Sequence, residues 1–502
     1  MTEPTQPSFD DWKKALQAEL KLPEIGQKMS KKTIEGVFDI LSVTAAGQVI
    51  PNLSSWKKSS QTYSSVSISA IEDDLANGVR VFFFDRSKAD SKMLSQALKV
   101  IEANSEADKI EVVFLNNGLN DDSNAVAALE VANQGGTHLQ ELSLLNLRLI
   151  QWASKNPLAV SVTVFISTDN HFFQSIAKLR AFRENAETVF SELRRKVEVR
   201  VVSIVNTRDW TLYERYNNML RNSVAVAGAL VGGADVIQTL GYMTSFENEI
   251  SEVDAEHLER SRRMARNTIH ILSLESMLGM VEDAAAGSYH FEVLTDDYGR
   301  KSWAWMQSMI QRSDREVKQA LDLEITATRE ARIQQFNRRQ LVLSGINDYP
   351  NVSERLDLKA PLKESSFRIA RAFEMLRLRV EAIKKPAKVR IVFWGDYAAL
   401  NARLNFTKNY FELLGLTVLD PMQSVQDEAS LKKWTSRAAK NEIIVLCAKD
   451  EDYAQLVAQV SPSTVANFVA GKVDVDGYEA IFGGQNIFPI LEKLVACLEV
   501  NS

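Results

Sequence analysis

From about Ser65 onward the chain repeats one pattern: a short run of β-branched and aromatic residues, then a longer stretch whose apolar residues recur at helical spacing. Strands that must be joined by helices lie parallel, and a parallel sheet needs helices over its faces. The clearest strands fall at 79–84, 110–115, 160–166, 199–204 and 234–239, with helices such as 91–103, 174–196 and 213–230 between them. This run of βα units predicts a (β/α)8 barrel of the TIM type over residues 61–330, with a doubly wound sheet as the alternative.

A charged helical stretch at 314–343 and a second helix at 365–383 read as a connector, assigned to residues 331–386. Lys384-Lys-Pro-Ala-Lys388 closes it, because Pro386 interrupts the helix and a strand begins at once. The pattern then restarts. Strands at 389–394, 416–419, 443–447, 467–471 and 480–483, with helices at 401–414, 430–440, 452–459 and 487–498, predict a flavodoxin-like doubly wound domain over residues 387–502. Residues 1–60 read as an N-terminal arm, polar except for Phe9 and Trp12, that contacts a partner or packs as an amphipathic helix.

Charge removes several function classes. The 502 residues carry 59 Lys and Arg against 65 Asp and Glu, without long like-charged blocks, which points away from nucleic acid and from anionic membranes as partners. The first residues lack the basic and apolar regions of a signal peptide, and no apolar run reaches the ~18 residues a membrane span needs. A soluble, cytoplasmic protein is expected. Cys447 and Cys497, the two cysteines, sit in apolar contexts and read as reduced, packed thiols. No P-loop, early G-x-G-x-x-G, zinc-helix or paired-cysteine motif occurs. The five histidines, His138, His171, His257, His270 and His290, read as surface or structural, and Asp169-Asn-His171 as a strand-end turn.

Three segments resemble the methylmalonyl-CoA mutase family. Ala265-Arg-Asn-Thr268, Glu275-Ser276 and Val281-Glu-Asp-Ala-Ala-Ala-Gly-Ser-Tyr-His-Phe-Glu-Val-Leu-Thr295 are similar to the family's Arg-Asn-Thr and Asp-Pro-Ala-Gly-Gly-Ser-Tyr signature. Tyr216-Asn-Asn-Met-Leu-Arg221 with Gly232-Gly-Ala-Asp235 looks like its Tyr-Asn-Asn-x-x-Arg run and following turn, and Ala177-Lys-Leu-Arg-Ala-Phe-Arg183 resembles its Lys-Leu-Arg-Ala-x-Arg helix. Taken singly, Arg180, Arg183 and Arg221 read as solvated or helix-capping charges and Gly232-Gly233 as a plain turn. Their occurrence in family order, from roughly residue 160 to the end, is what that reading leaves unexplained.

The resemblance also implies what is missing. Catalytic members hold cobalamin with an imidazole from an Asp-x-His-x-x-Gly loop after the first strand of the C-terminal domain; here the loop reads Gly395-Asp-Tyr-Ala-Ala-Leu-Asn-Ala-Arg403, with Leu400 near the His position and Arg403 near the Gly. The histidines all precede this domain. Cys447-Ala-Lys-Asp450 stands where the family has a Ser-rich turn against the cofactor's nucleotide tail, and Val202 or Ser203 where the barrel has a substrate-contacting His. Gln48 to Val66 replaces the family's Tyr-containing substrate segment, while Ala284 and Ala286 replace a Pro and a Gly of the signature. No catalytic, cofactor-binding or metal residue is therefore assigned.

On this resemblance the chain is expected to be the non-catalytic small subunit of an adenosylcobalamin-dependent isomerase. It would form a heterodimer with a large catalytic subunit that binds the cofactor and interconverts methylmalonyl-CoA and succinyl-CoA in propionate metabolism. The alternatives are a catalytic acyl-CoA mutase subunit that borrows cobalamin from a separate protein, and a stand-alone CoA-binding or chaperone-like module.

Overall fold

The computed structural model describes residues 9–20, 30–33, 36–39, 58–63, 68–85, 91–103, 110–116, 119–120, 124–250, 253–356, 358, 361–363, 365–419, 427–436 and 442–500. The chain divides into two compact units, one of residues 1–206, 222–240 and 265–328, the other of residues 207–221, 241–264 and 329–502. Both are α/β with parallel sheets, as the alternation of short and long apolar runs predicts.

In the first unit β1 (Ser30–Thr33) and β2 (Gly36–Asp39) form an antiparallel pair. The main sheet contains β3 (Lys58–Tyr63), β4 (Val81–Asp85), β5 (Glu111–Asn116), β6 (Leu119–Asn120), β7 (Ala125–Ala127), β8 (Ser161–Thr168), β9 (Glu198–Val205) and β10 (Val236–Gln238). Their order is β6-β5-β4-β3-β10-β9-β8-β7, parallel throughout except between β5 and β6. Strand β4 shows why its run of apolar residues has no polar face. Phe82 and Phe84 pack with Ile71, Ala97 and Ile101 from the helices Ile68–Ala76 and Ser91–Ala103. Val81 and Phe83, one residue out of phase, pack with Phe165 of β8, Val202 of β9 and Val236 of β10. A strand buried on both faces must be apolar at every position, not at alternate ones.

Three long helices, His138–Lys155, Phe172–Glu192 and Tyr289–Met309, pack on one another in this unit. Thr137 and Gln140 form a reciprocal capping box that starts the first of them. Asn146 and Asn185 both donate to Ser302 Oγ, at 3.0 and 3.3 Å, so a hydroxyl on the third helix joins the other two.

The second unit holds β11 (Val389–Phe393), β12 (Val418–Leu419), β13 (Ile443–Cys447), β14 (Asn467–Ala470) and β15 (Glu479–Ile481), all parallel, in the order β12-β11-β13-β14-β15. Alternation again separates two layers. Ile391, Val445 and Phe468 pack with Leu404 and Phe411 of helix Tyr397–Glu412 and with Leu491 and Leu494 of helix Phe488–Val500. Val392, Leu446 and Val469 pack with Leu431, Tyr453 and Leu456 on the other face.

Most predicted elements shift by only a few residues at their ends. Two strands depart from expectation. Lys58–Tyr63 was assigned partly to an arm and partly to the first domain, yet KSSQTY pairs with β4 on one side and β10 on the other. The three-residue β7 was too short to give an alternating signal. Much of Gln48 to Val66, and the rest of the arm apart from helix Phe9–Leu20, β1, β2 and Lys58–Ser60, lies outside the described residues. No helix among the described residues is long and apolar enough to cross a membrane.

Candidate functional site

In an open parallel sheet of order 2-1-3-4-5, ligands are expected beyond the carboxyl ends of the strands, where neighbouring connections diverge. In the second unit that point lies between β11 and β13. After β11 the chain turns through Gly395 at φ +124, and Asp396 caps helix Tyr397–Glu412 by accepting from Ala399 N–H at 2.9 Å. A Cβ at Gly395 would sit 2.8 Å from Leu400 Cδ1. Leu400 itself is buried in the apolar layer beneath the turn.

Arg403, one turn further along, reaches back over the strand ends. Its Nη1 donates to Ala448 O and, at 2.8 Å, to Asp450 Oδ1, both just after β13. Tyr453 Oη accepts from Ala448 N–H at 3.1 Å and donates to Ala470 O at the end of β14. Gly471 lies close to this knot, at φ +138, where a Cβ would meet Asp450 Oδ1 at 3.2 Å and Arg403 Nη1 at 3.4 Å. The crevice where a ligand is expected is thus bridged by the chain's own guanidinium, carboxylate and phenol. Leu400, near which the resemblance would set an imidazole, is a buried apolar side chain that offers no lone pair.

Below the knot, burial pushes the Cys447 thiol up to about 12, against the opposing influence of Thr407 and Arg403. Alkylation requires thiolate. At neutral pH Cys447 should therefore resist iodoacetamide in the native chain and react once urea unfolds it, which peptide mass spectrometry would read directly; rapid native labelling would contradict the packing.

The first unit contains most of the residues that carry the family resemblance, and corrects their reading as solvated or capping charges. Lys178 is fully buried and donates to Glu141 Oε2 at 2.6 Å and Ser167 Oγ at 3.1 Å. Arg180, also buried, reaches both oxygens of Asp283 at 3.0–3.2 Å, Glu292 Oε1 at 3.0 Å and Thr295 Oγ1 at 2.8 Å. Arg183 donates to Gly233 O and to Asp235 Oδ2 at 3.0 Å. The three basic residues of one helix thus pair with separate segments: the partners of Arg180 and Arg183 lie in other pieces of the motif set, those of Lys178 outside it. Gly232 is likewise more than a plain turn: a Cβ there would lie 2.7 Å from Leu179 Cδ1 and 2.9 Å from Gly228 O.

In the second unit Arg221 is buried as well, donating to Thr211 Oγ1 at 3.0 Å and Asn218 Oδ1 at 2.8 Å. Asn218 Nδ2 in turn donates to Thr211 O and Tyr242 O. The resemblance is carried by buried polar pairs that hold backbone segments in place. Of the two residues that the resemblance sets against the family His, Val202 is in the apolar cluster of β4, β8 and β10, and Ser203 shares a 2.8 Å hydrogen bond with Thr168 Oγ1.

The methylmalonyl-CoA mutase family model matches residues 151–391. The methylmalonyl-CoA mutase small subunit of Streptomyces virginiae is 31% identical over 351 residues, 65% of this chain and 55% of that protein. The chain is related to the methylmalonyl-CoA mutase small subunits. A probable small subunit of the same kind from Mycobacterium bovis is 28% identical over 329 residues, 63% of this chain and 52% of its own length. A methylmalonyl-CoA mutase of Rhizobium meliloti is 25% identical over 256 residues, 47% of this chain and 34% of its own. This chain spans about half the length of the small subunits it matches. The matched stretch includes Lys178, Arg180, Asp283 and Glu292, whereas Glu141, the partner of Lys178, precedes it.

Proposed function

We propose that this chain is a non-catalytic small subunit of an adenosylcobalamin-dependent methylmalonyl-CoA mutase, an isomerase. Its work is to pair with and stabilise a large subunit that holds the cofactor and interconverts methylmalonyl-CoA and succinyl-CoA, in the cytoplasm. The observation that carries this reading is the strand-end crevice of the second unit, with Leu400 in the apolar core and Arg403 hydrogen-bonded across the gap. These residues do not suit cobalamin, because they offer cobalt no imidazole and set a charged pair across the strand ends. The small-subunit names of the relatives support the pairing.

In this reading residues 61–330, joined by Lys58–Ser60 of β3 from the stretch read as an arm, are a degenerate (β/α)8 barrel. The ladder order supports it, since β3 and β10, far apart in sequence, are hydrogen-bonded neighbours while the consecutive β6 and β7 end the ladder. The inward cluster drawn from β4, β8, β9 and β10 is the packed interior such a barrel has. Residues 387–502 are a flavodoxin-like domain by their strand order, residues 331–386 connect the two, and the rest of residues 1–60, before β3, contacts the partner.

Co-expression of the tagged chain with a cobalamin-binding large subunit from the same genome tests the proposal. An equimolar complex that carries cobalamin, with this chain colourless alone, is expected. A cobalamin spectrum from this chain by itself, or turnover with a separate small cobalamin-binding protein, would instead make it a catalytic subunit. A chain that binds acyl-CoA and ignores the large subunit would make it a stand-alone module.

A further inference from the structure

After His270 the chain of the first unit runs through a π-helical turn, Ile271–Glu275. Ser276 N–H donates to Ile271 O at 2.8 Å and Leu278 N–H to Leu272 O at 2.9 Å, while Met277 and Gly279 stand in the left-handed region at φ +55 and +82. A side chain in that region is uncommon, and π-helical turns recur at functional sites. The segment is hydrogen-bonded into one shape, yet it buries little of its apolar content. Ile271, Leu274, Met277, Met280 and Val281 are 47%, 63%, 62%, 69% and 62% exposed.

Single exposed apolar side chains are ordinary, but five within eleven residues make a patch. At those exposures they leave roughly 500–600 Å² in water, the upper end of the ~300–600 Å² of the largest patch on a typical monomer. That is well over half of the ~800 Å² that each partner gives to a standard interface. Two of the five are methionines, whose unbranched thioether chains adapt to the surface they meet. Glu275 and Glu282 are exposed beside them, and neither makes an ion pair among the described residues.

We propose, resting on the small-subunit reading above, that residues 271–281 are a docking surface for the large subunit, whose matching face is apolar with a rim of Lys or Arg. Charge decides between the occupants. In a symmetric pair of identical chains the same patch meets itself, which would bring the carboxylates of Glu275 and Glu282 from both copies into one interface. A different chain can set cations against them. An anionic membrane would be repelled by the same two groups. The relatives named as small subunits supply the kind of partner, a second and different chain.

The test uses this full chain and a cobalamin-binding large subunit from the same genome, purified separately and titrated together. Leu274→Asp in one variant, and Met277→Asp with Met280→Asp in another, place charge in the patch without touching the buried core. Each should weaken binding by about 30-fold or more, whereas Leu158→Asp, at a side chain 92% exposed outside the segment, should leave it unchanged. Circular dichroism checks that the variants fold. Hydrogen exchange of the amides of residues 271–281 should slow when the native complex forms. Undiminished affinity in the folded variants would overturn the surface and leave the small-subunit reading standing, whereas a native chain that ignores the large subunit would overturn both. A native chain that dimerises alone, and is dissociated by the same substitutions, would make a second copy the occupant and overturn the choice of the large subunit.

Discussion

Replacing Arg368 with methionine should destabilise the chain by about 3–5 kcal/mol, the cost of leaving buried carboxylates without their counter-charge. Arg368 Nη2 donates to Glu249 Oε2 at 2.8 Å and Glu374 Oε2 at 2.7 Å, its Nε donates to Glu249 Oε1, and its Nη1 donates to Trp210 O at 2.9 Å. All three side chains are at most 2% exposed. Glu374 Oε1 also accepts from Leu212 N–H at 2.6 Å, so the network holds two backbone segments as well as two charges. Arg371 and Ser365 still bind Glu249 in the variant, which places the loss in the desolvated charge of Glu374 above all. Neutralising both acids to Gln in the Arg368→Met background removes the stranded charge and keeps an acceptor for Leu212 N–H, and should recover more than half of the loss. Urea unfolding followed by circular dichroism measures both; a single variant within about 1 kcal/mol of the parent would refute the argument.

The same network makes stability depend on pH. Burial, the largest influence on Glu249, raises its pKa, but the hydrogen bonds and charge of Arg368, with Ser365 and Arg371, outweigh it and hold the group below its ordinary 4.5. A depressed acid contributes stability that is present above the unfolded-state value and is lost as pH falls through the folded one. The contribution should therefore fade as pH drops below about 4.5, and Glu249→Gln should flatten that part of the curve in urea titrations run across the acid range.

Lys178→Met is the second large effect, again about 3–5 kcal/mol. Both Lys178 and Glu141 are no more than 1% exposed, and the methionine would leave the buried Glu141 without its counter-charge. Ser167 still donates to Glu141 through N–H at 2.6 Å and Oγ at 2.5 Å, but two neutral donors do not replace an ammonium. Glu141→Gln in the same chain separates charge from packing, because the amide oxygen retains an acceptor for Ser167 N–H. If the double variant is much more stable than Lys178→Met alone, charge burial is the cause. If the two are equally unstable, the loss comes from side-chain packing and the electrostatic account fails.

These variants also separate what residue identity reveals from what it hides. The segment Ala177-Lys-Leu-Arg-Ala-Phe-Arg183 stood out because its basic residues kept company with the other motifs in a set order. Helical spacing could not reveal the partners, because Lys178, Arg180 and Arg183 pair with Glu141, Asp283 and Asp235, which are 37, 103 and 52 residues away. A charge on a helix looks the same in sequence whether water or a distant carboxylate solvates it, so the expectation of exposed arginines failed. Lys58–Tyr63 escaped as a core strand for a related reason: its ladder partners on both sides, not its own composition, make it a strand.

Sequence by itself determined the alternation of strand and helix, the parallel sheets that follow from it, the family likeness and the absence of histidine beyond His290. Those depend on local periodicity and on residue type, which the chain carries in one dimension. Tertiary structure decided that Arg403 bridges the strand ends, that Leu400 is in the core, that Arg368 joins two acids, and that His138 meets Asp169 and His171. Each of these joins residues distant in the chain, and their energies depend on a burial that exists only after the elements pack.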